Sequence, residues 1–290
     1  HRDHPYAQAE ADGIACVPTL AALVDADPDV VVLCNPLRAM PDILNELKPL
    51  LDAKPSITLT DVGSVKGMVR DQVRAAGLEA CYVGAHPMAG NELSGWQAAD
   101  PGLYDGALWA ISVDDDTAYQ RFLAVARLIT EGVGNRVIVL DDATHDQAAA
   151  LISHMPHVVA TALINELVDD MNRNIAAALA AGSWRDMTRV ALTDPERTRA
   201  MVQEDASNVE GLLRNMAQRL TDVADHLHRG DESSLRMFFA QGEPFRRYKA
   251  AVKAGGARRR SELQLPEHGW QRILLASACR GEYVTGFAGR

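Results

Sequence analysis

The spacing of apolar and polar residues changes character at about residue 142. Up to that point, short apolar runs alternate with stretches in which apolar residues recur every three or four positions. We predict strands in "DVVVLCNP", "SITLTDVGS", "CYVG", "ALWAISV" and "RVIVL", with helices between most of them. Short apolar strands that alternate with helices indicate βαβ units and a parallel sheet covered on both faces. Residues 1–142 are therefore predicted to form an α/β domain.

Residues 143–255 have a helical pattern throughout. Strand-like runs nearly vanish, and the alanine-rich stretch His145–Gly182 has apolar residues at helical spacing. A second such stretch begins at Asp194-Pro195, because aspartate caps a helix and proline is tolerated in the first turn. Long apolar helices often pair between subunits, so we expect a homodimer. Residues 256–290 form a C-terminal extension whose pattern assigns no role, apart from a loop expected in "KAGGARRRSE".

Composition restricts the partners. The net charge of −10 disfavours nucleic acid and anionic membrane surfaces. The chain has no long uninterrupted apolar run, so no transmembrane helix is expected. The four cysteines lie far apart, without metal-site spacing, and Cys34 and Cys81 occur in apolar runs typical of small core residues. These features predict a cytoplasmic protein with small-molecule ligands.

Polar and glycine-rich residues follow three of the predicted strands. Asn35-Pro36 follows the first strand, "DVGSVKG" the second and "AHPMAG" the third. In an open parallel sheet, ligands bind beyond the carboxyl ends of the strands, so we predict a site at this edge. Ser64 is a candidate hydroxyl donor to a ligand or to a nearby histidine, or else the N-cap of the next helix. Lys66 is interpreted as a solvated or ligand-facing charge.

His86 is the main candidate for chemistry at this edge. An imidazole titrates near neutrality and can accept a proton from a substrate hydroxyl. Pro87 and the glycines that follow predict an irregular loop around it, which favours function over a histidine satisfied inside a turn. Glu92, in the same segment, either binds a substrate group, orients His86, or is a surface carboxylate.

A second group of candidates lies in the helical part. Ser153, His154 and His157 stand at a helix start, where free N–H groups favour anions. The two histidines lack a third ligand at convincing spacing, so no metal is expected. Downstream, "SWRDMTRVALTDP" carries Arg185, Asp186 and Arg189, and an arginine fork suits a substrate carboxylate. For any one arginine, a surface salt bridge is the common alternative. The sequence contains neither GxSxG nor a P-loop, which disfavours a hydrolase or a kinase.

Four motifs in this order resemble the prephenate dehydrogenase family. They are "DVGSVK", "GAHPMAGNELSG", "SHMPHVVATAL" and "RDMTRVALTDP". The resemblance implies a Rossmann-like domain followed by an all-α dimerisation domain. It also implies oxidative decarboxylation of prephenate to 4-hydroxyphenylpyruvate with NAD or NADP, a step of tyrosine biosynthesis.

The resemblance also implies roles for individual residues. His86 matches the catalytic histidine that hydrogen-bonds the ring 4-hydroxyl, and Ser64 matches the serine beside it. His157 matches a substrate-binding histidine, and Arg189 the arginine that grips a substrate carboxylate. The residues that match the cofactor lining are Asn35, Pro36, Asp61 and Ser64. We place Ser153, His154, Glu92 and Asp186 with the substrate-binding group.

The match to the family is incomplete in two places. The glycine fingerprint GxGxxG does not occur in these residues, so the predicted Rossmann domain lacks its first strand and glycine loop. Arg2 would then lie near the adenosine ribose and favour NADP. The family often has a tryptophan after the Asp194-Pro195 pair; here Trp184 lies upstream instead. Open alternatives are arogenate dehydrogenase, a 3-hydroxyacid dehydrogenase-like enzyme and a non-catalytic nucleotide-binding dimer.

Overall fold

The computed structural model describes residues 6–91, 95–256, 259–260 and 263–288. The predicted site residues Arg2 and Glu92 lie outside them. The chain divides into an α/β unit, residues 1–145 and 261–290, and a helical unit, residues 146–260. The C-terminal extension therefore belongs with the α/β unit.

Helices and strands alternate along most of the α/β unit. Its elements are α1 Tyr6–Ala11, α2 Leu20–Asp25, β1 Val30–Leu33, α3 Met40–Ala53, β2 Thr58–Asp61, α4 Lys66–Ala75, β3 Tyr82–Pro87, β4 Leu108–Ser112, α5 Tyr119–Arg127, β5 Arg136–Leu140 and α6 Asp142–Ala149. After the helical unit come β7 Leu263–Gln264, α14 Trp270–Cys279, β8 Tyr283–Val284 and β9 Phe287–Ala288.

The main sheet is parallel over its first three strands, and the strand direction reverses at β4 and again at β8. The strands of the α/β unit lie in the order β1-β2-β3-β4-β5-β8. β1, β2 and β3 are parallel to one another, β4 is antiparallel to β3, and β5 is parallel to β4. A parallel return requires a long crossover. Between β3 and β4 the described chain holds a 3₁₀ turn, Trp96–Ala98, but no crossover helix, and β4 pairs antiparallel with β3.

Helix α3 shows why the helices cover the sheet. Its buried residues recur at helical spacing and form one apolar stripe, Met40, Leu44, Leu47 and Leu51, none of which is more than 3% exposed. A proline stands in its first turn, where no backbone donor is lost. The stripe packs in one core with residues of β1, β2, α4 and Tyr82.

The C-terminal extension completes the second core of the α/β unit. Strand β8 pairs antiparallel with β5, with Val137 opposite Val284. Trp270 of α14 is 2% exposed, and its ring stacks on Phe122 of α5 with centroids 4.3 Å apart. Phe287 meets the same Phe122 ring edge-on at 5.4 Å. The extension is thus a structural part of the α/β unit.

The helical unit continues from α6. Its elements are a π-helical segment Ala150–His154, then α7 Met155–Asp169, α8 Arg173–Leu179, α9 Gly182–Thr188, a 3₁₀ turn Arg189–Leu192, α10 Pro195–Glu204, α11 Ala206–Arg229, α12 Glu232–Ala240, α13 Glu243–Ala251, a π-helical segment Val252–Gly256 and β6 Arg259–Arg260. The predicted cap of α10 is confirmed, because Asp194 Oδ1 accepts from the Arg197 backbone N–H at 2.9 Å. The predicted loop "KAGGARRRSE" is wrong in part, since it contains a helical segment and β6.

Many large apolar side chains of the helical unit are exposed. Met171 is 95% exposed, Leu179 77% and Leu192 71%. The run Asp142–Asp169 is long and apolar enough to cross a membrane by length and composition alone. Polar residues interrupt this run, so it is not the uninterrupted apolar stretch whose absence led us to expect no transmembrane helix. Core helices of water-soluble proteins have the same composition, so the run is weak evidence for a membrane.

Candidate active site

The parallel register brings the predicted polar segments to one edge of the sheet. Leu33, the last residue of β1, is opposite Asp61, the last residue of β2, and β3 continues beside β2. Asn35-Pro36 and the segment around Ser64 therefore both follow the carboxyl ends of adjacent strands. Asn35 is half-buried, and its Nδ2 donates to the Pro36 carbonyl at 3.0 Å.

Asp61 and Lys66 form an ion pair in the interior rather than at the surface. Both side chains are 0% exposed. Lys66 Nζ donates to Asp61 Oδ2, and also to the Ala85 carbonyl at 2.8 Å. The Tyr82 hydroxyl donates to Asp61 Oδ1 at 2.8 Å, and the Gly63 N–H to Asp61 Oδ2 at 2.8 Å. The interpretation of Lys66 as a solvated charge is wrong, because its ammonium group is fully buried. The contact of Asp61 with a cofactor stays a prediction.

Two glycines leave room for this ion pair. A Cβ at Gly63 would lie 2.8 Å from Asp61 Oδ2, and one at Gly84 would lie 2.4 Å from Ser112 Oγ and 2.8 Å from the Tyr82 hydroxyl. None of these three distances is sterically possible without movement. Burial raises the pKa of Tyr82 well above its usual value, and Asp61 adds to the increase, so Tyr82 remains a donor.

His86 lies within strand β3, not in an irregular loop. It is opposite Ala110 of β4, and Pro87 is opposite Trp109. The antiparallel β4 extends β3 past the region paired with β2, which sequence periodicity could not indicate. The His86 ring is half-buried and meets His145 of α6, with His86 Nδ1 and His145 Nε2 2.9 Å apart.

His145 is a neighbour of His86 that the sequence pattern did not predict. It is 2% exposed and lies 59 residues from its partner along the chain. Because pairing at that separation leaves no local pattern, the only available signal was a histidine in the polar stretch "DDATHDQ" that follows β5.

A second set of buried ion pairs, centred on Arg70, holds the start of α6. Arg70 of α4 is 5% exposed, and its Nε donates to Asp142, the first residue of α6. Arg70 also binds Asp114 at 3.0 Å and the Ser112 carbonyl at 3.2 Å. Burial acts to lower the pKa of Arg70, but Asp142 and Asp114 raise it overall. The helix that carries His145 is thus fastened to the sheet.

Ser64 is not the N-cap of α4. The capping residue is Val65, which has no side-chain capping bond. Ser64 is half-buried, and no hydrogen bond of its hydroxyl occurs within the described part of the chain.

The expectation that both Cys34 and Cys81 are core residues is wrong for Cys34. It lies directly after β1 and is exposed, whereas Cys81 is partly buried. Strand β1 ends at Leu33, so the apolar run in the sequence extends past the buried part of the strand.

His154 makes a buried hydrogen bond within the helical unit. Its ring is 1% exposed, and Nδ1 is 2.8 Å from Asp205 Oδ2. Asn208 donates to the other carboxylate oxygen at 2.7 Å. Burial lowers the pKa of His154, and the bond to Asp205 offsets part of that decrease. His154 thus joins the start of α7 to the start of α11, and its contact with substrate stays a prediction.

His157 and Arg189 lie on elements that pack together. His157 Nδ1 donates to the Ser153 carbonyl at 2.8 Å, because a carbonyl oxygen can only accept. The 3₁₀ turn that begins with Arg189 packs against α7, which carries His157. Arg189 is exposed, and so are Arg185 and Asp186, whose charged groups are 3.9 Å apart.

The structure thus describes an α/β unit with a histidine at the carboxyl edge of its sheet, and a helical unit with a histidine and an arginine on packed elements. A polar carboxyl edge on an open α/β sheet is typical of nucleotide-binding domains. The family model of the prephenate dehydrogenase nucleotide-binding domain matches residues 5–139, and that of the prephenate dehydrogenase dimerisation domain matches residues 141–241. The chain belongs to the prephenate dehydrogenase family.

Individual relatives agree with this assignment. Prephenate dehydrogenase of Lactococcus lactis is 26% identical over 76% of this chain and 60% of its own length. A Corynebacterium glutamicum crystal structure, provisionally described as a prephenate dehydrogenase, is 28% identical and covers 97% of this chain and 88% of its own, with a TM-score of 0.81. The Aquifex aeolicus prephenate dehydrogenase complexed with hydroxyphenyl propionate and NAD⁺ is 29% identical over 83% of this chain and 84% of its own, with a TM-score of 0.74. The chain spans about 60% of the length of three curated relatives that it matches.

Proposed function

We propose that this protein catalyses the oxidative decarboxylation of prephenate to 4-hydroxyphenylpyruvate. The observation that carries the proposal is His86, at the carboxyl edge of the sheet with its ring held by His145 at 2.9 Å, in a chain of the prephenate dehydrogenase family. The reaction removes a hydride from ring carbon C4 and releases the ring carboxylate as CO₂. The electron pair of the broken C–C bond enters the ring, which becomes aromatic.

His86 handles the proton in this reaction. Its imidazole accepts the hydrogen bond of the C4 hydroxyl while the C–O bond gains carbonyl character. When the ring becomes aromatic, the oxygen becomes a phenol and takes the proton back, so no net proton is released. Ser64 is proposed to bind the substrate near the C4 oxygen through its hydroxyl. The protein contributes orientation and proton handling, since aromatisation supplies the driving force.

The cofactor is proposed to be NAD or NADP, bound along the ends of β1 and β2. The residues there fit a nicotinamide group, because Asn35 and Pro36 follow β1 and the half-buried Ser64 hydroxyl follows β2 without a capping role. When bound, the cofactor accepts the hydride. Arg2, outside the described residues, is the predicted reader of a 2′-phosphate, so NAD and NADP both remain to be tested.

Arg189 and His157 are proposed to bind the substrate carboxylates, with Ser153 and Asp186 nearby. Replacing Arg189 by Gln removes the guanidinium fork, so we expect KM for prephenate to rise about 10- to 100-fold, in line with the loss of one charge-assisted hydrogen bond. The matched control is Arg185→Gln, an exposed arginine of the same segment, which should leave KM within about twofold. Equal effects of the two substitutions on KM would remove Arg189 from the site.

Arogenate is the alternative substrate, which carries an amine where prephenate has a keto group. Glu92, outside the described residues, is the candidate that would prefer an amine. The experiment is to incubate the protein with prephenate or arogenate and with NAD or NADP, and to follow the reduced cofactor by absorbance. We expect the highest kcat/KM with prephenate. A higher value with arogenate would reassign the substrate, and no turnover with any combination would reject the function.

The helical unit is proposed to form a homodimer. Its matched family model is a dimerisation domain, and its exposed apolar side chains are a surface that a second subunit would bury. We expect sedimentation equilibrium to give a mass of two chains of 31.4 kDa. Leu179→Glu should weaken the dimer, while Ile14→Glu, 52% exposed in the α/β unit, should not. A monomer at all concentrations would contradict the assignment.

A cytoplasmic location is also proposed. All four cysteines are free thiols, Cys16, Cys34, Cys81 and Cys279, as expected in a reducing compartment. Cell fractionation followed by immunoblotting tests this, and recovery in the membrane pellet would contradict it.

A further inference from the structure

The contact between His86 and His145 restricts the protons that the two rings carry. His86 Nδ1 and His145 Nε2 are 2.9 Å apart, so one nitrogen donates a proton and the other presents a lone pair. If both rings were cations, both nitrogens would carry protons and repel each other. At least one ring is therefore neutral.

The two possible arrangements have different consequences for His86. If a neutral His86 donates from Nδ1, its ring presents a lone pair at Nε2. If His145 donates instead, the neutral His86 ring accepts at Nδ1 and carries its own proton at Nε2. A ring that takes the hydrogen bond of a substrate hydroxyl at Nε2 requires the first arrangement.

We propose that His145 is a positioning residue that holds His86 in its Nδ1-protonated tautomer by accepting the hydrogen bond at Nε2. The inference rests on the proposed function, because the reaction decides which tautomer is needed. His145 itself does not contact substrate in this account. It acts through His86, because a hydrogen-bond partner on one nitrogen of a neutral imidazole determines whether the other nitrogen carries the proton.

The backbone on both sides of the contact is held by buried ion pairs. His145 is 2% exposed on α6, and α6 begins at Asp142, which is bound by Arg70. On the other side, Lys66 donates to the carbonyl of Ala85, the residue before His86. This support explains how a short contact between two rings on different elements is maintained.

The pair also has a role as the proton moves. When the His86 ring takes the hydroxyl proton at Nε2, it becomes a cation, and its Nδ1–H donates a charge-assisted hydrogen bond to His145. That bond stabilises the cation without a proton passing to His145. When the product oxygen takes its proton back, the original neutral tautomer is restored.

The first test needs no turnover. The chain has nine histidines, and ¹⁵N NMR of protein labelled at the histidine rings distinguishes protonated from unprotonated nitrogens. Signals that vanish in His86→Asn and in His145→Gln assign the pair. We expect His86 protonated at Nδ1 and unprotonated at Nε2 in the protein without substrate. The reverse protonation would overturn the proposal. This result stands whether or not prephenate is the substrate.

The second test compares three substitutions of His145. Gln places a carbonyl oxygen near the position of Nε2 and keeps an acceptor, so kcat should fall by less than about fivefold. Leu removes the acceptor, and Lys replaces it with a donor; both should lower kcat about 100-fold, as expected when a partner that orients a ring is lost. The matched control is His228→Leu, an exposed histidine of α11.

The pattern across the variants separates positioning from general structural damage. KM for the cofactor should stay within about threefold in all three variants, and Gln should rescue kcat where Leu does not. If Leu retains the wild-type kcat, or if Gln loses as much as Leu, His145 does not position His86. If the wild type turns over no substrate pair, the proposed function fails and the NMR result alone decides the tautomer.

Discussion

His86→Asn should lower kcat by about 10²- to 10⁴-fold, the usual contribution of a positioned acid-base group. Asparagine places its amide near Nδ1, so the contact with His145 is kept, while the acceptor at Nε2 is lost. The change therefore removes proton handling with little disturbance of β3. Steady-state kinetics with saturating prephenate and cofactor measures the effect.

Cofactor binding supplies the internal control for this variant. Because the proposed cofactor residues follow β1 and β2, the dissociation constant of the cofactor, measured by fluorescence titration, should change less than about threefold. His228→Asn is the matched substitution at an exposed histidine of α11 and should leave kcat unchanged. A His86→Asn variant that keeps kcat within fivefold of the wild type would remove His86 from the chemistry.

Lys66→Met should reduce the free energy of unfolding by about 3–5 kcal/mol. The substitution leaves Asp61 as a fully buried carboxylate without its cation, and breaking such a pair costs far more than losing a surface pair. Lys48→Met is the matched control. Lys48 forms an exposed i,i+4 pair with Asp52, so its loss should cost about 0.5 kcal/mol or less. Urea unfolding followed by tryptophan fluorescence compares the two.

A double variant separates the charge from the packing. In Asp61→Asn with Lys66→Met, both charges are removed, and an amide oxygen can still accept from Tyr82. Part of the lost stability should therefore return relative to Lys66→Met alone. If the single variants Lys66→Met and Lys48→Met have equal effects, the buried pair is not an important contributor to the α/β unit.

The secondary structure and the location of the site could be predicted from local patterns. Short apolar runs separated by amphipathic helices predicted β1 to β5, and polar residues after three successive strands predicted the edge at which His86 lies. Both signals arise from side chains within a few positions of each other. Periodicity and turn chemistry report such relations directly.

The relations that were not predicted join residues that are distant in the sequence. His145 meets His86 across 59 residues, and Trp270 stacks on Phe122 from the C-terminal extension. The direction of β4 depends on pairing rather than on its own apolar pattern. The burial of Lys66 could not be predicted either, because a segment that contains lysine, glycines and serine has the composition of an exposed turn. Only the packed sheet shows that Asp61, Tyr82 and a backbone carbonyl surround its ammonium group.

The central claim is oxidative decarboxylation, and the most direct measurement is its stoichiometry. Prephenate labelled with ¹³C in the ring carboxylate is incubated with the protein and NAD or NADP, and reduced cofactor, labelled CO₂ and 4-hydroxyphenylpyruvate are quantified in the same sample. The account predicts equal amounts of all three, formed together, and none of them with His86→Asn on the same timescale. Cofactor reduction without CO₂ release, or no product with either cofactor, would contradict it.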